Sequence, residues 1–519
     1  MALARTFSVA LVGVDAHVVE VEAHAGSGLP HFTLTALSDR VLKGVEHRLR
    51  SAFGNSREDW PSRRLTVGLA PAGVPKSGSG FDLAIAAAIL GAAEAVPLGR
   101  LETLVLLGEV AISGRIRPIA GVLPAVIGAA RAGHDCFVVP RGNIREARLV
   151  PGIKVLSAGS LPELCGWLRG DVSDADLDVE PDDDPPPTDV EPPDLVDVVG
   201  QERGRRAIEI AAAGNHHTLL LGSPGVGKTM LAERLPGILP PLTSEEALDV
   251  TGIHSVAGRL APGRPLITKP PFFGPHHSTT VAAMVGGGSG IAQPGAVSLA
   301  HRGVLFLDEA PEFGSKALDA LRQPLESGEV TIARAHGIAT YPARFLLVLA
   351  ANPCPCAAGG RDPSVSGCIC PPAVRLRYQS RLSGPLHDRI DLTVMLSTVS
   401  RTVLDEGAAG ETTAVVAQRV AAARESARAR FAGTPWSTNG EIPGPILRRR
   451  WRVPASALRP VHQAVARHQL STRGIDRVLK VAWTLADLAG RAIPGTDEVE
   501  EALALRAGLS VPTQERLPA

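Results

Sequence analysis

At 519 residues the chain is too long for one hydrophobic core, so about two or three domains are expected. Its 45% hydrophobic and 20% charged content is that of a soluble globular protein. The 53 basic and 53 acidic residues cancel, which excludes overall charge as an argument for a nucleic-acid partner and leaves only local patches.

No segment reads as membrane-spanning. The longest apolar stretch, Leu83 to Val96, is interrupted by Glu94 and is too short to cross a bilayer. Met1 to Val14 has no clear cleavage region and reads as a strand rather than an export signal. A cytoplasmic protein is therefore expected, and its six cysteines point to thiols or metal ligands rather than structural disulfides.

In the first 170 residues strands and helices mix. Phe7 to Val14, Leu65 to Leu69 and Leu104 to Ile112 read as strands, and Phe81 to Ala93 as a buried helix. Cys136 falls in a strand, His134 to Val139, and Cys165 in a helix; both are packing residues. Asp171 to Asp194 contains eleven acidic residues, six prolines and no Lys or Arg. Such a stretch repels itself and buries little apolar surface, so an extended linker is expected at 171–194.

Beyond it, Val196 to Ala213 contains an amphipathic helix, and His217 to Leu221 is a short apolar strand. Gly222-Ser223-Pro224-Gly225-Val226-Gly227-Lys228-Thr229 follows and fits the phosphate-loop pattern. Glycines let backbone N–H groups curl around phosphate oxygens, and the following helix, Thr229 to Leu235, points its positive end at the same anion. Lys228 supplies charge for the β- and γ-phosphates of ATP, and the Thr229 hydroxyl is placed for Mg²⁺.

Gly303 to Leu307 is a hydrophobic strand ending in Asp308-Glu309. Open α/β sheets present ligand-contacting residues at the carboxyl ends of their strands. Asp308 is expected in the Mg²⁺ shell and Glu309 to polarise the attacking water, so the pair selects hydrolysis over nucleotide binding alone. A third strand, Arg344 to Ala350, leads to Asn352, placed either to contact the γ-phosphate or water or to act as a turn residue before Pro353. Alternating strands and helices imply a parallel sheet with crossover helices. From about Ser456 the pattern is helical, which suggests a small lid. Arg448-Arg449-Arg450 reads as solvated surface.

Cys354, Cys356, Cys368 and Cys370 form C-x-C, eleven intervening residues, then C-x-C. Four thiolates suit a tetrahedral Zn²⁺ site; reduced thiols or a redox-sensitive pair are the alternatives. Val330 to Tyr341 reads as a hairpin with Arg334 and His336 near its turn.

Several long motifs resemble the YifB/ComM group of magnesium-chelatase-like AAA+ ATPases. They are 211–217, Pro275-His276-His277-Ser278, Gly286-Gly287-Gly288, Gly303 to Phe313, Asn352-Pro353-Cys354-Pro355-Cys356 and 382–392. The resemblance covers nearly the whole chain outside the acidic linker. It implies an α/β chain with three parts: an N-terminal α+β domain (1–170), an AAA+ phosphate-loop core with a parallel αβα sheet (195–400), and a helical lid (401–519). It also implies that Arg389 is an arginine finger supplied to a neighbouring subunit, and that Arg473 is a second sensor reaching from the lid. Phe272 to Gly290 looks like the insert that these ATPases carry within an early helix, lining a pore together with the hairpin. The resemblance thereby makes Arg334, with His336 near it, the best candidate for contact with a DNA phosphate, and a solvated hairpin residue is the alternative.

In the N-terminal part, Pro75 to Asp82, Leu107-Gly108-Glu109, Gly114-Arg115-Ile116 and Pro118-Ile119-Ala120-Gly121 resemble the Lon protease catalytic fold. Ser79 sits near the position of that family's Ser. Val122-Leu123-Pro124 stands where its Lys belongs, so a non-proteolytic scaffold is expected. By resemblance, the whole is a homo-hexameric motor acting on branched or single-stranded DNA. The alternative is a protein-remodelling or metal-insertion motor of the magnesium chelatase type.

Overall fold

The computed structural model describes residues 2–35, 39–76, 78–180, 193–261, 263–288, 292–334, 337–356, 370–382, 384–398 and 410–507. The chain opens with a long antiparallel hairpin, Ala2–Val12 and Asp15–Gly26. In its second strand Val19, Val21, Ala23 and Ala25 are buried, the period-two pattern of a sheet with one covered face. Seven strands line up in the order His31–Leu34, Arg64–Ala70, Asp15–Gly26, Ala2–Val12, Leu104–Leu106, Cys136–Pro140, Lys154–Ala158. The helix Asp82–Ala92 is buried at every residue, as its unbroken apolar sequence requires. Its one charge, Asp82, is held by Arg48 through bonds of 2.7 and 2.8 Å.

Two expectations for this region change. The single strand expected at Leu104 to Ile112 is two, because Gly108 turns the chain aside. Its N–H bonds Gly80 O and its carbonyl accepts from Leu83 N. The second piece, Glu109–Val110, pairs with Ile116–Arg117. The acidic stretch is also not extended from its start. Asp174–Leu177 forms one helical turn, Leu177 is fully buried, and Ser157 Oγ donates to Leu177 O and Val179 O at 3.1 and 2.8 Å. One leucine in a charged run is enough to dock it, with its carboxylates facing Arg145, Arg148 and Lys154.

The central sheet has five parallel strands, ordered Phe272–Phe273, Val304–Leu307, Leu346–Ala351, Thr218–Leu221, Leu392–Met395. Val304–Leu307 and Leu346–Ala351 are buried throughout, as strands covered on both faces are. Phe272–Phe273, placed in the insert by the family resemblance, is the edge strand of this sheet.

The helical part begins earlier than its pattern suggests, at Thr413–Arg430. Val416, Val420, Ala423 and Ala427 form its buried stripe, packed on the helices Glu202–Gly214 and Thr472–Leu488. No helix among the described residues is long and apolar enough to cross a membrane.

A buried polar cluster fastens this helical part to the sheet. Arg477 Nη1 donates to Asp391 Oδ1 at 2.9 Å. His216 lies 3.2 Å from Asp391 Oδ2 and 2.7 Å from Thr484 Oγ1, and Asn439 donates to Thr484 at 3.0 Å. Burial alone would raise the Asp391 carboxyl, but Arg477 and His216 outweigh it and hold it low.

Two further histidines, His301 buried and His217 partly buried, serve as neutral acceptors. His217 Nδ1 accepts from Leu347 N at 3.1 Å and His301 Nδ1 from Arg344 N at 3.0 Å. Burial lowers them to about 4 and about 3. Because the unfolded chain binds these protons first, their contribution is complete above the ordinary histidine range and is lost on acidification through it. Thermal melts are expected to fall steeply from pH ~6.5 to ~4. His217→Gln should flatten that slope; an unchanged slope would dissociate the acid sensitivity from His217.

Candidate nucleotide site

The phosphate loop joins Thr218–Leu221 to the helix Lys228–Glu233. Its glycines are needed at two points: Gly225 and Gly227 have φ of +77° and +92°, which side-chain-bearing residues rarely adopt. The loop starts beside Asn352, because Leu221 pairs with Ala351 in register. Lys228 Nζ donates to Gly222 O, Ser223 O and Asn352 Oδ1 at 2.8, 3.0 and 2.9 Å. Burial lowers the ammonium, and the negative charges of Asp308 and Glu309 work against that shift. Gln201, which the sequence reading passed over, steadies the loop by donating to Val226 O and Ser397 O at 2.9 and 2.6 Å.

Asp308 and Glu309 follow Val304–Leu307, so they reach the same end of the sheet. Thr229 Oγ1 donates to Asp308 Oδ2 at 2.8 Å. This pairs two hard oxygen donors at the foot of the loop, a set that suits Mg²⁺. Glu309 takes φ +50°, and its N–H donates to Asp308 Oδ1 at 2.9 Å. Its carboxylate is half exposed, and His277 Nδ1 lies 3.6 Å from Oε2. His277 was legible only as part of a motif; the structure gives it a neighbour. Gly225, Lys228, Thr229, Asp308, Glu309 and Asn352 all line one open cavity, so loop, carboxylates and amide are brought together.

Arg389 and Arg473 are not at this end. Arg389 precedes Leu392–Met395, whose first residue pairs with Thr218, the first residue of the loop strand. In a parallel sheet that is the end opposite the phosphate loop. There Arg389 is paired with Glu326. Arg473, well exposed at the start of Thr472–Leu488, lies 3.5 Å from Asp388, beside Arg389. The expected reach of Arg473 from the lid is thus directed away from the loop of its own chain.

The hairpin is Glu329–Arg334 with Gly337–Pro342, and Arg334 faces Gly337 across it. Tyr341 OH anchors it to Ala292 O at 2.6 Å. Arg334 is exposed, and His336 lies outside the described residues. The hairpin backs onto the N-terminal domain, where a Cβ on Gly13 would stand 3.0 Å from Thr340 O. A second contact joins the two parts: Ser255 Oγ donates to the buried Glu146 Oε2 at 2.6 Å. Within the N-terminal domain Ser79 Oγ donates to Glu109, while Lys76 Nζ donates to Val74 O at 3.1 Å. Cys354, Cys356 and Cys370 converge, and Cys368 lies outside the described residues.

A phosphate loop on an inner strand of a five-stranded parallel sheet, carboxylates at the end of Val304–Leu307 and a helical lid define an AAA+ ATPase fold. Comparison with known proteins agrees. Residues 194–404 match the family "Magnesium chelatase, subunit ChlI", residues 21–143 "Subunit ChlI of Mg-chelatase", and residues 410–506 "Magnesium chelatase, subunit ChlI C-terminal". An uncharacterized protein of Mycobacterium tuberculosis (strain ATCC 25618 / H37Rv) is 53% identical over 98% of this chain and 99% of its own length. YifB of Escherichia coli (strain K12) is 39% identical over 98% of this chain and 97% of its own. Competence protein ComM of Haemophilus influenzae (strain ATCC 51907 / DSM 11121 / KW20 / Rd) is 38% identical over 98% of both. The chain belongs to the YifB/ComM family of magnesium-chelatase-like AAA+ ATPases.

Proposed function

We propose that the protein is a ring-forming cytoplasmic ATPase, a homo-hexamer, that couples ATP hydrolysis to DNA remodelling of the branch-migration or helicase type. The observation that carries the hydrolytic part is the convergence of Lys228, Thr229, Asp308, Glu309 and Asn352 on one cavity. Backbone N–H groups of Gly225 to Thr229 cradle the phosphates, and Lys228 leaves its carbonyl partners for phosphate oxygen. Thr229 and Asp308 would hold Mg²⁺, which neutralises phosphate charge when bound. Glu309 accepts a proton from the attacking water, and Asn352 orients that water or the γ-phosphate.

Arg389 and Arg473 lie at the sheet end remote from their own loop. Both are therefore assigned to the nucleotide of an adjacent subunit, which is what makes a closed ring the functional unit. The N-terminal domain serves as a scaffold behind the hairpin rather than as a protease. Ser79 Oγ donates a hydrogen bond to the Glu109 carboxylate, and among the described residues no amine is bonded to it as an activating base would be.

DNA as the substrate rests on the likeness to a competence protein and on Arg334, exposed on a hairpin of the kind that lines pores. Forked or four-way DNA is expected to stimulate ATPase activity, with binding that weakens steeply as salt rises. Arg334→Ala should weaken binding evenly across sequences and lower the salt slope by about one for each phosphate it no longer neutralises. ATPase activity indifferent to every DNA form would favour the other reading, a protein-remodelling or metal-insertion motor. The magnesium chelatase matches over all three parts of the chain support that alternative.

A further inference from the structure

Cys354 and Cys356 leave the strand Leu346–Ala351 two and four residues after Asn352, while Cys370 directly precedes the helix Pro372–Gln379. One sulfur from each of these three residues lies within 4.8 Å of the other two. The pair Cys354 and Cys356 stands at 3.2 Å. That is too long for a disulfide, whose sulfurs sit about 2.05 Å apart. It is shorter than the roughly 3.8 Å between sulfurs that tetrahedral geometry with ~2.3 Å zinc–sulfur bonds requires, so binding an ion would spread this pair by about half an ångström. The cysteines of the N-terminal domain behave differently. Cys165 is buried in the apolar core of that domain, its thiol pushed up to about 12 by burial, as a packing residue's should be.

The cluster also borders the nucleotide site. Gln379 Nε2 donates to Pro353 O at 3.4 Å, between Asn352 and Cys354. Just beyond that helix, Arg381 bonds Glu312 at 2.9 Å, on the turn that follows Asp308 and Glu309. The three thiols thus tie the end of the Asn352 strand to a segment that also touches the carboxylate turn.

We propose that Cys354, Cys356 and Cys370 form a thiolate site for zinc that positions Asn352 at the nucleotide cavity. Soft sulfur donors select zinc over the hard Mg²⁺ used beside Thr229. Three thiolates leave a fourth coordination position for another donor or water. The bound ion would fix the three thiols to one another, holding Asn352 where it meets Lys228. This proposal goes beyond the assignment of the protein as an ATPase, and metal content reads it independently of turnover.

The test uses the full chain purified under reductant. About one zinc per chain is expected by elemental analysis. Cobalt substitution should give thiolate-to-metal charge-transfer absorption with tetrahedral visible bands. Cys370→Ser should lose the metal and Cys370→His should retain it. Metal removal by chelation, or Cys370→Ser, should lower kcat about tenfold or more while leaving the Kd of a non-hydrolysable ATP analogue unchanged, with recovery on adding zinc. A chain that stays metal-free after zinc is supplied under reductant overturns the site. Equal kcat with and without metal overturns its positioning role.

Discussion

Glu309→Gln is expected to bind ATP as tightly as the unaltered chain and to turn it over about 10²–10⁴ times more slowly, the usual worth of a positioned general base. The amide keeps the shape of the side chain and the half-exposed place beside His277. It also leaves the backbone bond from Glu309 N to Asp308 intact. What it removes is the negative oxygen proposed to take a proton from water. Lys228, Thr229 and the loop backbone are untouched, so binding should persist. Equilibrium binding of a labelled nucleotide, set beside steady-state phosphate release, separates the two effects. Ordinary turnover in this variant would remove Glu309 from the chemistry.

Arg389→Ala should cost still more, about 10³–10⁵ in kcat, the range for an arginine finger that stabilises charge on the transferred phosphoryl group. The decisive measurement is a mixture. Chains carrying Lys228→Ala lack a working loop but keep Arg389. Chains carrying Arg389→Ala keep the loop but lack the finger. Each should be nearly inactive alone. Mixed rings contain interfaces where an intact loop meets an intact Arg389, so activity should return. This result follows from the proposed sharing of the site, since Arg389 and the phosphate loop occupy opposite ends of a parallel sheet in one chain. A mixture no more active than its parts would place the site within a single subunit.

Much of the nucleotide site was legible because its physics is local. A phosphate loop needs glycines at fixed offsets, a preceding apolar strand and a following helix, and all of these lie within a dozen or so residues. The strands ending at Asp308 and near Asn352 were equally plain, since strands buried on both faces are continuous apolar runs. The likeness to a known family then supplied Arg389 and Arg473, which no spacing rule singles out.

The remainder depended on long-range packing. Phe272–Phe273 is too short to announce itself and became a strand only because Val304 and Leu305 lie beside it. Leu177 gave no sign, within an acidic run, that it would fill a gap in the N-terminal domain. Arg473 could be assigned to a lid helix, yet the end of the sheet that this helix faces follows from contacts between segments far apart in sequence, such as Arg477 with Asp391. The same holds for His277 beside Glu309 and for three thiols meeting across a loop. Chemistry carried by neighbours along the chain can be read from residue order. Chemistry assembled between distant segments depends on which apolar faces bury each other, and that is settled only when the whole core packs.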